Sequence, residues 1–218
     1  MNNFRRLLLV NILVLVILIG GGFLGYYFYN QSTLYIKTEN ATVSGQQVTL
    51  VATATGQLDE WNGAQGKSFK AGDAVGSIMT VDATGKPAAV AVTAPQDLTV
   101  VQSSAVENSF VAPGTPLAYA YDLDHLWVTA NINETDIQDV KVGQDVDIYV
   151  DAYPSTTLSG KVASVGLATA NTFSLLPTSN TTGNYTKVTQ VIPVKVTLDG
   201  YKGLALVPGM NVEVRVHR

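Results

Sequence analysis

From Leu7 to Ile19 every position is apolar except Asn11, and the run continues through Gly20-Gly21-Gly22-Phe23-Leu24-Gly25. No charge falls between Arg6 and Lys37. About 20 residues of helix, at a rise of about 1.5 Å each, cover the roughly 30 Å hydrocarbon core of a bilayer. The pattern predicts a transmembrane anchor over residues 7–29 behind a cytoplasmic N-terminus at residues 1–6. Arg5 and Arg6 precede the span, so the positive-inside rule leaves everything after about Asn30 outside the cytoplasm. Tyr26, Tyr27 and Tyr29 stand where an interfacial aromatic belt belongs. A cleaved signal peptide is the rival reading, but the length, the aromatic flank and the lack of an Ala-x-Ala pattern favour the anchor. Gly21 and Gly25 form a small-xxx-small pair, a candidate helix-dimer contact.

Beyond Leu34 the period changes. Short Val/Thr/Ile-rich runs are broken by Gly, Pro, Asn and Asp, an all-β signature. Strands are predicted at Gln47–Ala54, Ala88–Val92, Leu98–Gln102, Leu126–Ile132, Asp145–Asp151, Leu158–Val165, Val188–Leu198 and Asn211–Val216. Val146, Ile148 and Val150 alternate with Asp145, Asp147, Tyr149 and Asp151, as one buried and one solvated face require. Asn133–Val140 is the one helix expected outside the membrane, with Asn133 as its cap and acidic residues in its first turn. A quasi-repeat is also legible. Leu58 leads to Phe69 and Gly72, and Leu98 leads to Phe110 and Gly114, each ending in a Gly turn and a further strand. Two similar halves folding onto each other predict a small sandwich.

Composition narrows the chemistry. The 218 residues carry 13 Lys+Arg and 17 Asp+Glu, a net charge of −4, two His and no Cys. Past residue 29 the balance is 11 basic against 17 acidic, or −6. An acidic ectodomain argues against nucleic-acid binding, and the missing cysteines exclude disulfides, thiolate metal sites and a Cys nucleophile. Asp122, Asp124 and His125 read as a polar turn, because a metal or catalytic site needs further converging groups. Asp145, Asp147 and Asp151 lack a calcium-loop spacing, His217 reads as a tail residue, and Lys86 as a solvated loop lysine. No catalytic, metal or cofactor site is predicted. Residues 168–186 are polar and turn-rich around Phe173, Leu175, Leu176 and Pro177, with Tyr185 beyond. Apolar loop residues need burial somewhere: either the loop tucks against its own domain, or it contacts a partner or the membrane surface.

Several of these segments carry a resemblance. Thr38-Glu39-Asn40-Ala41-Thr42-Val43-Ser44-Gly45 resembles the opening of the haemolysin-secretion (HlyD) type membrane fusion proteins, or periplasmic adaptors. Gly66…Lys70-Ala71-Gly72 and Ala94-Pro95…Pro113-Gly114 are similar to that family's two lipoyl-like half-motifs. Leu126-Trp127-Val128, Asn133-Glu134-Thr135-Asp136-Ile137 and Gly143-Gln144-Asp145-Val146 resemble the entry to its β-barrel domain. Phe173–Pro177, Gly183-Asn184-Tyr185, Lys187–Val194 and Pro208-Gly209-Met210 are similar to its multidrug-efflux branch. The resemblance covers residues 5–218 and implies a lipoyl-like barrel-sandwich domain at 34–121 and a β-barrel domain at 122–218. It departs in one respect: the long coiled-coil hairpin between the lipoyl halves is missing, with only Thr80–Ala89 in its place and Gly85-Lys86-Pro87 forbidding a sustained helix.

The expected fold is an all-β ectodomain behind one N-terminal transmembrane helix. The function that follows is a non-enzymatic adaptor subunit of a multidrug-efflux type export system in the cytoplasmic membrane of a bacterium. The resemblance implies an inner-membrane transporter as partner, of major-facilitator rather than ABC type, and a homo-oligomer. The alternative is an anchored extracytoplasmic domain that binds a wall polymer or small ligand without any transporter.

Overall fold

The computed structural model describes residues 2–81, 85–173 and 189–218. Among these residues one helix, α1 (Asn2–Leu34), leads into fourteen strands and two short 3-10 turns. Beyond α1 the described residues are all-β. The described residues by themselves contain no helix long and apolar enough to cross a membrane; the helical backbone of α1 nevertheless runs unbroken through the apolar segment of the sequence.

The chain divides into two compact units, one of residues 42–128 with 203–210 and one of residues 1–41, 129–202 and 211–218. The first is a sandwich of two four-stranded sheets. Its strands are β2 (Gln47–Val51), β3 (Gly56–Trp61), β4 (Ser68–Phe69), β5 (Ala74–Val81), β6 (Pro87–Thr93), β7 (Leu98–Ser103), β8 (Phe110–Val111) and β9 (Pro116–Tyr121). One sheet runs β2-β9-β7-β4 and the other β6-β5-β3-β8. Replacing β2, β3, β4 and β5 by β6, β7, β8 and β9, and the reverse, turns one order into the other. The duplication read from the sequence is therefore built into the topology, and each sheet takes two strands from each half.

Hydrogen bonds fix the repeat register. The Gly72 N–H donates to the Ala94 carbonyl (2.8 Å) and the Gly114 N–H to the Ala52 carbonyl (2.9 Å). The Val100 N–H donates to Lys67 O, and the Leu58 N–H to Ser109 O, both at 2.9 Å. Each correspondence is an offset of 42 residues, such as 72 to 114 or 58 to 100. Gly72 and Gly114 both hold positive φ, +89° and +87°, which a side chain would strain. The offset corrects one detail of the expected repeat: Phe69 corresponds to Val111, not to Phe110. Phe69 packs on the core cluster of Leu50, Val75 and Val100, whereas Phe110 is 75% exposed. Trp61 packs against both core clusters and anchors its indole N–H on Ser103 Oγ at 2.9 Å.

β5 and β6 pair down to Val81 opposite Pro87. Five residues join them, so this connection has no room for a helical hairpin.

The second unit contains a closed six-stranded barrel, ordered β1-β10-β13-β12-β11-β14. Its strands are β1 (Tyr35–Ser44), β10 (Trp127–Asn133), β11 (Asp145–Val150), β12 (Thr157–Val165), β13 (Val191–Leu198) and β14 (Asn211–His217). β1 precedes the sandwich strands in the chain yet pairs in the barrel. The predicted alternation holds: Val146, Ile148 and Val150 are buried with Val194, Val196, Val212, Val214 and Val216. Closure leaves the barrel no free edge.

The helix expected at Asn133–Val140 is absent. Asn133 ends β10, and its carbonyl accepts from the Asp136 N–H at 3.0 Å. Only a 3-10 turn, Ile137–Asp139, follows, without a side-chain cap, and Val140 is already extended. In a segment of about eight residues only Val140 is buried, too little packing to hold a short helix.

Candidate partner-contact surface

Barrel strand register gathers several connections at one rim. Val146 lies opposite Val216, so the start of β11 lies beside the end of β14. Val165 opposite Val194 places the end of β12 beside the start of β13. The Arg218 N–H donates to the Leu34 carbonyl at 3.0 Å, bringing the end of α1 to the same rim. Arg218 also pairs with Asp139 at 3.2 Å, and Tyr35 meets His217 edge to face at 4.8 Å. His217 is thus no tail residue: its Nε2 lies 2.9 Å from Asp147 Oδ2. Sequence reading missed it because the partners stand 70 residues apart and meet only through the pairing of β11 with β14.

The candidate contact loop leaves and returns at this rim. The Gly166 N–H donates to the Pro193 carbonyl (2.8 Å), the Asn171 amide to Gln190 Oε1 (2.9 Å), and the Glu134 N–H to the Gln190 carbonyl (3.0 Å). These bonds close the base of the loop. Phe173 ends the 3-10 turn Ala170–Phe173. Leu175, Leu176, Pro177 and Tyr185 lie outside the described residues. On α1, a Cβ added at Gly21 or Gly25 would meet nothing within 4 Å, so that face of the helix is open.

Charges elsewhere on the barrel are spent on one another. Lys37 bridges Glu39 (3.1 Å) and Glu213 (3.3 Å), and the Arg215 guanidinium donates to Glu213 (2.8 Å) while lying 4.7 Å from the Tyr149 ring centre. Burial alone would raise the Glu213 carboxyl, but the hydrogen bonds from Arg215 and Lys37 outweigh it and hold it below the ordinary value. Lys37 is raised, first by its hydrogen bond to Glu39 and then by that to Glu213. Asp145 pairs with Lys161, which lowers the acid and raises the amine.

The sandwich carries a groove of about 460 Å³ lined by Phe69, Leu98, Leu123 and four Asp. Its carboxylates are largely taken up by turn backbone. Asp73 accepts from the Lys70 N–H and Asp97 from the Ala71 N–H, both at 2.8 Å. Asp122 accepts from the Asp124 N–H at 3.0 Å and sits 2.7 Å from His125 Nδ1. No group of three or more His, Asp or Glu side chains among the described residues converges in a way that could hold a metal ion.

Comparison with known proteins agrees in architecture. Residues 46–122 match the YhbJ barrel-sandwich hybrid domain and residues 126–216 the YknX-like β-barrel domain. The chain is 41% identical over 217 residues to "Putative efflux system component YhbJ" of Bacillus subtilis, covering 98% of this chain and 94% of that protein. It is 42% identical over 111 residues to the colistin resistance protein EmrA of Acinetobacter baumannii, a match covering 50% of this chain but only 31% of that longer relative. The membrane fusion protein Spr0693 of Streptococcus pneumoniae superimposes with a TM-score of 0.59 at 14% identity, over 84% of this chain and 98% of that one, a likeness of fold. With both domain matches in chain order and similarity along nearly its whole length, the chain belongs to the haemolysin-secretion type membrane fusion protein family, in a form without the coiled-coil hairpin.

Proposed function

We propose that this protein is the adaptor subunit of an efflux-type export system and acts by contact with an inner-membrane transporter, not as an enzyme. The observation that carries the reading is the end-to-end similarity to a protein named as an efflux system component, joined to the sandwich-plus-barrel architecture. In this reading α1 spans the cytoplasmic membrane once over residues 7–29, and both β units lie outside. Its unbroken helical backbone over an uncharged apolar segment supports the span. The domain boundary is assigned between residues 121 and 122, with β1, although it precedes the sandwich strands, belonging to the barrel.

The transporter is of major-facilitator type, as the likeness of the loop region to the multidrug-efflux branch suggests. Phe173, Leu175, Leu176, Pro177 and Tyr185 form its contact loop. The adaptor assembles as a homo-oligomer, with the open Gly21/Gly25 face bringing anchors together. Lacking the long hairpin, it works close to the cytoplasmic membrane.

Purification from native membranes in mild detergent tests this reading. A polytopic exporter is expected in the preparation, and deletion of the gene is expected to raise drug sensitivity. Light scattering on the same sample reads copy number, which Gly21→Ile with Gly25→Ile should lower. Recovery without any exporter, together with unchanged sensitivity, would leave the anchored binding domain as the better account.

A further inference from the structure

Among the described residues of the barrel unit beyond α1, only two large apolar side chains are exposed: Val142 at 66% and Leu167 at 104%. Isolated exposed aliphatics are ordinary on a protein surface. Their placement here is not scattered. Val142 sits in the turn before β11, whose Gly143 N–H donates to the Val162 carbonyl at 2.8 Å. Leu167 follows the end of β12, beside the Gly166 to Pro193 bond. Both lie at the rim where Arg218 bonds Leu34 and pairs with Asp139. On the opposite rim the β11–β12 turn Asp151-Ala152-Tyr153-Pro154-Ser155-Thr156 exposes no large aliphatic, and the β13–β14 connection exposes only Val207, at 44%, among the described residues.

From these positions we infer that the anchor-side rim of the barrel rests on the lipid bilayer, with Val142 and Leu167 dipping into the headgroup layer. The inference rests on the proposed span of α1. No linker separates helix from barrel, because β1 begins at the residue after α1 ends. From Tyr29 in the aromatic belt to Leu34 is five residues, or about 8 Å of helix. The headgroup layer is itself roughly 5–8 Å deep on each side. The rim therefore emerges within that layer, where two aliphatic side chains find apolar surroundings that water does not provide.

Charge does not draw the rim down. Glu134, Asp136 and Asp139 stand on it beside Arg218, and the ectodomain is net acidic. Contact is consequently apolar, independent of anionic lipid and weakly sensitive to salt.

The absence of cysteine makes the test direct. Single-cysteine variants Val142→Cys, Leu167→Cys, Ser155→Cys and Ile17→Cys of the full chain are labelled with an environment-sensitive fluorophore. They are placed in nanodiscs of phosphatidylcholine carrying a nitroxide on either the headgroup or the acyl chain. Headgroup nitroxide is expected to quench the labels at 142 and 167 about threefold more than the label at 155, with the same ratio in high salt. The acyl-chain nitroxide reads the span separately through Ile17. Quenching at 17 with 142 and 167 no different from 155 overturns the rim contact and leaves the anchor standing. No quenching at 17 removes the anchor and the rim contact together. Labels at 142 and 167 that become shielded only when the exporter is added, without lipid quenching, assign the rim to protein and overturn the inference.

Discussion

At Gly160 the barrel has no room for a methyl group. A Cβ there would fall well inside contact distance of the Thr197 carbonyl oxygen, and 3.2 Å from Ile148 Cδ1. The Thr197 carbonyl is backbone of a paired strand and cannot give way without breaking that pairing. Gly160→Ala is expected to destabilise the barrel by about 2–4 kcal/mol. Gly200→Ala, where nothing lies within 4 Å, should change stability by less than about 0.5 kcal/mol. Denaturant unfolding followed by tryptophan fluorescence reads both, with Trp127 reporting from a barrel strand. Equal midpoints for the two variants would refute the close approach.

Glu213 sets a pH dependence whose sign follows from its lowered pKa. Unfolded, the group protonates near its ordinary value of 4.5; folded, Arg215 and Lys37 keep it ionised to lower pH. Its contribution is present above the unfolded value and is lost as pH falls through the folded one. Lys37, raised above 10.5, contributes below that value and loses its contribution as pH rises through the folded pKa. Both side chains meet water, with exposures of 23% and 48%, so the pair is worth only about 0.5–1 kcal/mol. Glu213→Gln should flatten the acid limb of stability below about pH 4.5 by that amount and leave the limb above pH 6 parallel to the parent. Urea midpoints across pH 3–7 measure it; an acid limb as steep as the parent's would rule the pair out.

At the scale of elements, strand exchange between the halves governs the sandwich. β4 pairs with β7, and β8 with β3, so neither half owns a complete sheet. A protease site placed at Lys86 in the β5–β6 connection, once cut, is expected to leave two pieces that stay together under native conditions. They should part only in denaturant. Separation on a sizing column without denaturant would contradict the interleaving.

Much at this scale was legible. The strands at Gln47, Leu98, Asp145 and Asn211 begin where alternation and turn residues place them. The two-residue strands β4 and β8 are too short to show any period, and β1 hides behind Lys37, Glu39 and Asn40 on its outer face. Asn133–Val140 carried the local marks of a helix, yet it had no apolar stripe to bury. Phe110 looked like the partner of Phe69 because both precede a Gly turn. Backbone pairing, which sequence spacing does not encode to within one residue, decided for Val111.

At the scale of the molecule, the proposed contact loop and the end of α1 both meet the barrel at one rim. Leu175→Asp with Leu176→Asp alters the loop, and the sites of β-strand pairing lie elsewhere in the chain. The thermal midpoint is therefore expected to stay within about 2 °C of the parent, while recovery of the exporter falls at least about tenfold. A large drop in midpoint would mean that these leucines pack against the barrel, the reading in which the loop merely covers its own unit.

The order of hydrophobic and polar residues along the chain by itself determined the class: an uncharged apolar segment, then an acidic region of short alternating strands with a repeated Gly turn. These are local properties, readable because burial imposes a period of two on any strand with one face inside. Strand partners, the offset of 42 within the repeat and the gathering of Leu34, Asp139, Val142, Leu167 and Arg218 at one rim were decided only by the tertiary structure. Those residues are up to 184 positions apart (34 to 218), and what joins them is hydrogen-bonded register across a closed barrel. Alternation says which way a strand faces; closure alone says who stands beside it.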